Sequence, residues 1–375
     1  MSETLRKLDL AEKMARPSIL NLEPYIPGKP AEEVQRELGL GEVVKMASNE
    51  NPWGASPLAL EAVMKELPRV YQYPEGSCRD LRRALANHFE ISEDMVTVSN
   101  GADNVLMMIT QAFVDPGAEV VMARPTFPVY RTATVLMGGV PVEVPLEDFT
   151  HDLGGMGGAI SPRTKVVVVC NPNSPTGTSV GQEEMQAFLA RLPEGMVLVV
   201  DEVYGEFASS SSFPDVLGFI RDGKPVLSVR SFSKLYGLAG LRVGYAMGPP
   251  GLIQVLNRVR EPFPVNRLAV VAAQAALGDL AFRDHVLRET EKGRLWLMEA
   301  FEGMGLRCLP SHTNFVFVDL GTDAQVVFEK LLRRGIIIRP GGIWKTPTWC
   351  RITVGKPEQN ENLIWALKQV LGPAA

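Results

Sequence analysis

Between Met95 and Met247 the chain repeats one pattern: a short β-branched apolar run, a loop rich in Gly, Pro, Asn or Ser, then often a helical stretch. Val96–Ser99, Val120–Ala123, Val166–Cys170, Val197–Val200, Val226–Arg230 and Val243–Met247 read as strands. Several are apolar almost throughout, as strands are when helices cover both faces of a mostly parallel sheet. The pattern predicts an α/β large domain whose sheet is flanked by helices.

The remainder of the chain predicts a second, smaller unit. After Pro249 the pattern is helical to about Met304, then strands are expected at Asn314–Asp319, Ile336–Ile338 and Arg351–Val354. Helices are expected at roughly Asp323–Arg334 and from about Glu358 onward. A chain of 375 residues, 46% hydrophobic, exceeds one simple domain. The expected division is an N-terminal arm over residues 1–45, a large domain over 46–265 and a smaller α/β domain over 266–375.

Charge and cysteine usage exclude several classes of function. The net charge is −5 and Lys and Arg are scattered, so no nucleic-acid surface is marked. Cys78, Cys170, Cys308 and Cys350 are widely spaced and the four His are dispersed, which suggests neither a metal site nor a disulfide framework. No segment reaches the ~18 apolar residues needed to span a bilayer. A cytoplasmic location is expected, with no membrane partner.

The chemistry-bearing segments follow predicted strands, where open α/β sheets place their ligands. Val96–Ser99 breaks at Asn100-Gly101-Ala102-Asp103 and a helix begins at once, leaving unpaired N–H groups and a positive dipole end suited to a phosphate. The same residues also suit an ordinary turn capped by Asn100 or Asp103. Asn171-Pro172-Asn173-Ser174-Pro175-Thr176-Gly177 is a stiff polar loop that could orient a ring, or simply a turn. Asp201 ends an apolar strand, where a carboxylate is costly to bury without a partner. A protonated pyridine nitrogen would be such a partner, and so would an ordinary cation or a helix end.

Ser231-Phe232-Ser233-Lys234 follows another strand and leads into a Gly-rich turn ending near Arg242. A lysine so placed can form a Schiff base with an aldehyde cofactor. Arg242, Ser231 and Ser233 supply donors for a dianionic phosphate.

The ordered set NGAD, PTF, NPNSPTG, DEVY and SFSKLYGLAGLRVGY resembles the fold-type I pyridoxal-phosphate aminotransferases, over nearly the whole chain. PYIPGKPAEEVQRELGL, ASNENPWGASP, YPEGSCRDLR, SHTNFVFV and CRITVG are similar to the histidinol-phosphate aminotransferase subfamily. The resemblance implies an aspartate-aminotransferase-like fold, pyridoxal 5'-phosphate as cofactor and a homodimer with shared sites. It implies Lys234 as the Schiff-base lysine, Asp201 as the pyridinium partner, Tyr204 as donor to the cofactor's phenolic oxygen and Phe127 as the ring stacked on it. Ala102 and Asp103 (through backbone N–H), Ser231, Ser233 and Arg242 would form the phosphate cup, joined by Tyr73 from the neighbouring subunit. Ser174 stands where the family usually has Asn bonded to the phenolic oxygen, so Tyr204 holds that oxygen largely alone or Asn173 substitutes.

The same resemblance implies Arg351 as the residue holding the carboxylate of glutamate or the phosphate of an amine, with Arg339 and Tyr25 as further contacts at that anionic end. The expected reaction transfers the amino group of L-histidinol phosphate to 2-oxoglutarate. Phe127, Phe263, Trp344 and Trp349 keep an aromatic amino-acid aminotransferase open, and a phospho-amino-acid decarboxylase is a further reading.

Overall fold

The computed structural model describes residues 10, 12–20, 22, 24, 28–208 and 212–372. Its strands, in chain order, are β1 (Val44–Lys45), β2 (Val96–Ser99), β3 (Glu119–Arg124), β4 (Val140–Pro145), β5 (Thr164–Cys170) and β6 (Val197–Asp201). They continue with β7 (Val226–Ser231), β8 (Gly244–Met247), β9 (Phe315–Asp319), β10 (Ile336–Ile337), β11 (Arg339–Pro340) and β12 (Trp349–Thr353). Seven of them form one sheet in the order β2-β8-β7-β6-β5-β3-β4, in which only β8 runs against its neighbours.

Alternation of side chains across the pleat explains why these strands are apolar throughout. Val166, Val168, Val197, Val199, Leu227 and Val229 meet the helices Gly101–Phe113 and Pro250–Val259 on one face. Val167, Val169, Leu198, Val200 and Val226 meet Arg79–Phe89, Gln182–Arg191 and Arg267–Leu277 on the other. No face of the central strands is left to water. The sheet also contains β4, which the sequence pattern does not suggest. Pro141 and Pro145 lie in it, and proline is tolerated there because β4 is an edge strand with one side unpaired.

A second core joins Leu297, Phe301, Val316, Val318, Leu331, Ile352, Leu363 and Leu367 around the antiparallel sheet β11-β12-β9. The helices Leu280–Gly303, Ala324–Leu332 and Pro357–Leu371 cover it. Two packing facts bear on the division of the chain. β1 pairs in parallel with β10, and Met46 packs in this second core. Ala269, Ala272, Ala273 and Ala276 pack instead with the large sheet. We propose that the smaller lobe starts after Leu277 and takes in residues 44–46, a refinement of the 46–265 and 266–375 division. No helix among the described residues is long and apolar enough to cross a membrane.

Candidate active site

The parallel register brings the ends of β5, β6 and β7 to one edge, because Cys170 pairs with Asp201 and Asp201 with Val229. Asp201 is only 4% exposed. Its Oδ2 accepts from Tyr130 Oη at 2.6 Å and its Oδ1 from the Val203 amide at 3.0 Å. Burial nevertheless pushes its carboxyl up to about 6, with the Tyr130 hydrogen bond opposing. Two neutral donors do not replace the water removed from a carboxylate; a cation would.

Lys234 follows β7 and its Nζ donates to the Ser48 carbonyl at 3.2 Å, lying 5.8 Å from the centre of the Tyr204 ring. Burial, aided by the positive charge of Arg351, lowers its ammonium to about 8. Tyr204 is buried, and its Oη accepts from Asn49 Nδ2 at 2.8 Å. Burial raises that phenol to about 12, so it stays protonated and can donate. Asn49 has a positive φ of 55° and is fixed by Thr353, whose Oγ1 accepts from the Asn49 amide at 3.0 Å and donates to its Oδ1 at 3.1 Å.

The predicted phosphate turn is built as a cradle. The helix Gly101–Phe113 begins directly after β2, with Gly101 at φ +80°, and a Cβ on Gly101 would stand 2.8 Å from Arg242 Nη2. A Cβ on Gly244 would stand 2.4 Å from the Ala102 amide nitrogen. Only glycine at both positions lets the guanidinium and the helix N-terminus approach. Arg242 Nη2 donates to Asp103 Oδ2 at 3.2 Å, and Ser231 Oγ accepts from the Ser233 amide at 3.1 Å.

These groups line one cavity of about 260 Å³, with the cradle residues Ala102, Asp103, Ser231, Ser233 and Arg242 together with Lys234 and Asp201. Tyr204, Ser174 and Phe127 line it as well. A ring bearing a protonated nitrogen, an aldehyde and a phosphate fits this donor set: a desolvated carboxylate, a lysine and an anion cradle on the walls of one cavity. Asn173 is not brought into the cavity. Its Nδ2 donates to Pro125 O and Thr176 Oγ1 and its Oδ1 accepts from Thr126 Oγ1, so its side chain holds the loop together. It does not stand in for the Asn that Ser174 replaces.

A smaller cavity of about 120 Å³ shares Ser48, Phe127, Ser174, Tyr204 and Lys234 with the first and adds Arg339, Arg351 and Trp344. Arg339 and Arg351 are cross-strand partners in β11 and β12, so both side chains leave the same face. Arg351 Nη1 donates to Ser174 Oγ at 3.0 Å and Nη2 to the Ala47 carbonyl at 2.9 Å. Its guanidinium carbon lies 5.2 Å from the Trp344 ring centre and 5.3 Å from that of Phe315.

The remaining expected residues fall elsewhere. Tyr73 is 78% exposed and stacks on Phe263 at 4.7 Å, outside both cavities of its own chain. Trp349 packs on Phe317 in a small core cluster and lines neither cavity. Tyr25 lies outside the described residues. Sequence reasoning missed Tyr130 and Asn49. A buried tyrosine needs a partner for its hydroxyl, but nothing local names Asp201, 71 positions away, as that partner.

Residues 41–367 match the family described as Aminotransferase class I and II. The histidinol-phosphate aminotransferase of Moorella thermoacetica is 46% identical over 95% of this chain and 92% of its own length. The crystal structure of histidinol-phosphate aminotransferase from Sinorhizobium meliloti, in complex with pyridoxal-5'-phosphate, superposes with a TM-score of 0.88 at 32% identity, covering 95% of this chain and 97% of that one. A double mutant of Thermus thermophilus aspartate aminotransferase superposes with a TM-score of 0.82 at 25% identity, covering 95% and 99%. A match of this extent to sequences and structures alike leaves one conclusion: the chain belongs to the class I and II aminotransferases, and among them to the histidinol-phosphate aminotransferases.

Proposed function

We propose that the chain moves the amino group of L-histidinol phosphate to 2-oxoglutarate, giving imidazole-acetol phosphate and glutamate in histidine biosynthesis. It is an aminotransferase that uses pyridoxal 5'-phosphate. The observation that carries the substrate reading is the register of β11 on β12, which sets Arg339 beside Arg351 at the cavity. Two guanidinium forks match a phosphate dianion, and one of them suffices for the carboxylate of glutamate.

When bound, the cofactor supplies an aldehyde carbon for amine exchange and a protonated ring that takes up electrons from the substrate's α-carbon. Asp201 would keep the ring nitrogen protonated, and that nitrogen would supply the cation that the buried carboxylate lacks. The Gly101 turn, Ser231, Ser233 and Arg242 would hold the phosphate, and Tyr204, aimed by Asn49, would donate to the phenolic oxygen. Phe127 would lie against the ring, and Arg351 would orient the anionic end of the substrate. Lys234, lowered to about 8, has a neutral fraction near neutral pH; it would hold the cofactor through its aldehyde and, when free, would serve as the base for the proton on the substrate's α-carbon.

The active form is a homodimer, a reading supported by exposed apolar side chains that include Leu60, Met64, Val70, Tyr71, Tyr73 and Phe263. Tyr73 would reach the partner's cofactor phosphate. A cytoplasmic setting suits the four unpaired cysteines. Phe127 and Trp344 at the cavity leave an aromatic amino donor as the second reading. Single-turnover conversion of the bound cofactor by L-histidinol phosphate, phenylalanine, tyrosine and glutamate tests the choice. L-Histidinol phosphate should react at least about tenfold faster than phenylalanine at equal low concentration, the advantage of one added charge-assisted contact; a preference for phenylalanine would overturn the substrate reading.

A further inference from the structure

Beside the smaller of the two reaction cavities lies one of about 470 Å³, formed by Leu22 and Pro24, the end of β3, the loop after it, the helix Val129–Leu136, β4 and the turn Gly341–Trp344. The two share Phe127, Pro128, Arg339, Ile343 and Trp344, so one opens onto the other across Arg339. Among the described residues its charge is one-sided: Arg124, Arg131, Arg339 and Lys345 line it, with Glu143 as the carboxylate.

Glu143 does not neutralise this set. Its oxygens stand 3.9 Å from Arg124 Nη1 and 3.7 Å from Arg131 Nε, and both arginine side chains are about half exposed. Ion pairs at such separations and exposure are weak. The helix Val129–Leu136 begins at the cavity wall, after Pro128, and adds its positive dipole end.

The chain as a whole carries a net charge of −5, so a phosphate dianion approaching at random meets repulsion. A basic recess beside the reaction cavity reverses that sign locally, and a cleft lined by one sign of charge concentrates counter-ions and speeds their capture. We propose that this recess is an anion vestibule, a docking site for the phosphate of phosphate-monoester substrates before they reach Arg339 and Arg351. The inference rests on the phosphorylated substrate read above and adds Arg124, Arg131 and Lys345 to the residues that select for it. Arg339, lining both cavities, is the point of transfer between them.

The test is stopped-flow mixing of the cofactor-loaded enzyme with L-histidinol phosphate, following cofactor absorbance and taking the second-order rate constant at low and high salt. Arg124→Gln and Arg131→Gln together should lower that constant about tenfold at low salt and flatten its salt dependence, as loss of steering charges does. Arg131→Lys keeps the charge and should restore most of the rate when paired with native Arg124. L-Histidinol, which lacks the phosphate, should show no comparable loss in the same variants. Unchanged rates for L-histidinol phosphate in the double variant, or an equal loss for L-histidinol, would overturn the vestibule. A wild-type enzyme inert toward L-histidinol phosphate would remove the substrate reading itself, and the vestibule with it.

Discussion

The two ends of the active site are built on different principles. The cofactor end comes from one sheet: Asp201, Lys234 and the Gly101 turn stand at or just after the ends of β6, β7 and β2, and the ladder holds them in fixed relation. At the substrate end, Arg339 and Arg351 come from the smaller lobe, whereas Ser174 and Phe127 come from loops of the large sheet. Chemistry common to many substrates sits on the rigid element, and the choice of substrate sits where separate elements meet. Substitutions at the first end should therefore remove catalysis whatever the substrate, and substitutions at the second should separate one substrate from another.

Lys234→Ala should have the largest effect. Removal of both the proposed attachment point and the proposed α-proton base should lower turnover by at least about 10⁴-fold with every amino donor, the upper range for one acid–base group. Residual turnover within tenfold of wild type would break the assignment of the cofactor end.

Asp201→Asn should follow, with turnover down by at least about 100-fold, and it offers a stability test with a defined sign. In the cofactor-free chain burial raises Asp201 from 3.8 to about 6. A raised folded value means that the native state holds its proton more tightly, so the stabilising contribution is present below about pH 4 and is lost as pH rises through about 6. Cofactor-free Asp201→Asn should thus exceed wild type by up to roughly 3 kcal/mol near pH 7.5, and the gap should close toward pH 4. Adding cofactor should reverse the order at pH 7.5, since only the carboxylate can pair with the ring cation. Chemical denaturation at the two pH values, with and without cofactor, reads all of this; a gap that ignores pH would show that Asp201 is not strained by desolvation.

At the substrate end, Arg351→Gln should lower kcat/KM about 10- to 100-fold for L-histidinol phosphate and glutamate alike, the scale of a lost charge-assisted contact. Arg339→Gln should cost about tenfold with L-histidinol phosphate and less with glutamate. Steady-state kinetics with both donors would show the split; equal losses in Arg339→Gln would mean that the second arginine does not distinguish phosphate from carboxylate.

The sequence exposes these two ends unequally, for physical reasons. Strands buried on both faces are near-continuous valine and leucine runs, so β5, β6 and β7 and the residues at their ends are readable locally. β4 is not, because Pro141, Glu143 and Pro145 interrupt its apolar run and only its edge position makes them acceptable. The pairing of Arg339 with Arg351 depends on a two-residue strand and the short turn Gly341–Trp344, too little pattern to fix a register. Asn49 is beyond local reading altogether, since it is held by Thr353 from the far end of the chain. Asn173 shows the opposite failure: its motif locates the loop correctly, but which side chain turns into the loop and which into the cavity is decided by packing.

Ser174 joins the two ends, and Ser174→Asn should have the smallest effect. The buried Ser174 Oγ accepts from Arg351 Nη1 at 3.0 Å, so its acceptor capacity goes toward fixing the arginine proposed to hold the substrate. Tyr204 and its support from Asn49 Nδ2 do not involve Ser174. An Asn carbonyl oxygen can replace the hydroxyl as acceptor and its amide can donate as well, while Asp201, Lys234 and the phosphate cradle are untouched. Cofactor absorbance should therefore be retained, and KM for glutamate should shift by only about two- to fivefold, less than one full hydrogen bond to a charged group. The carboxylate end moves because a longer side chain displaces the guanidinium, and the ring end stays. A large loss of bound cofactor in this variant would show that Ser174 belongs to the cofactor end after all, and that Tyr204 does not suffice to hold the phenolic oxygen.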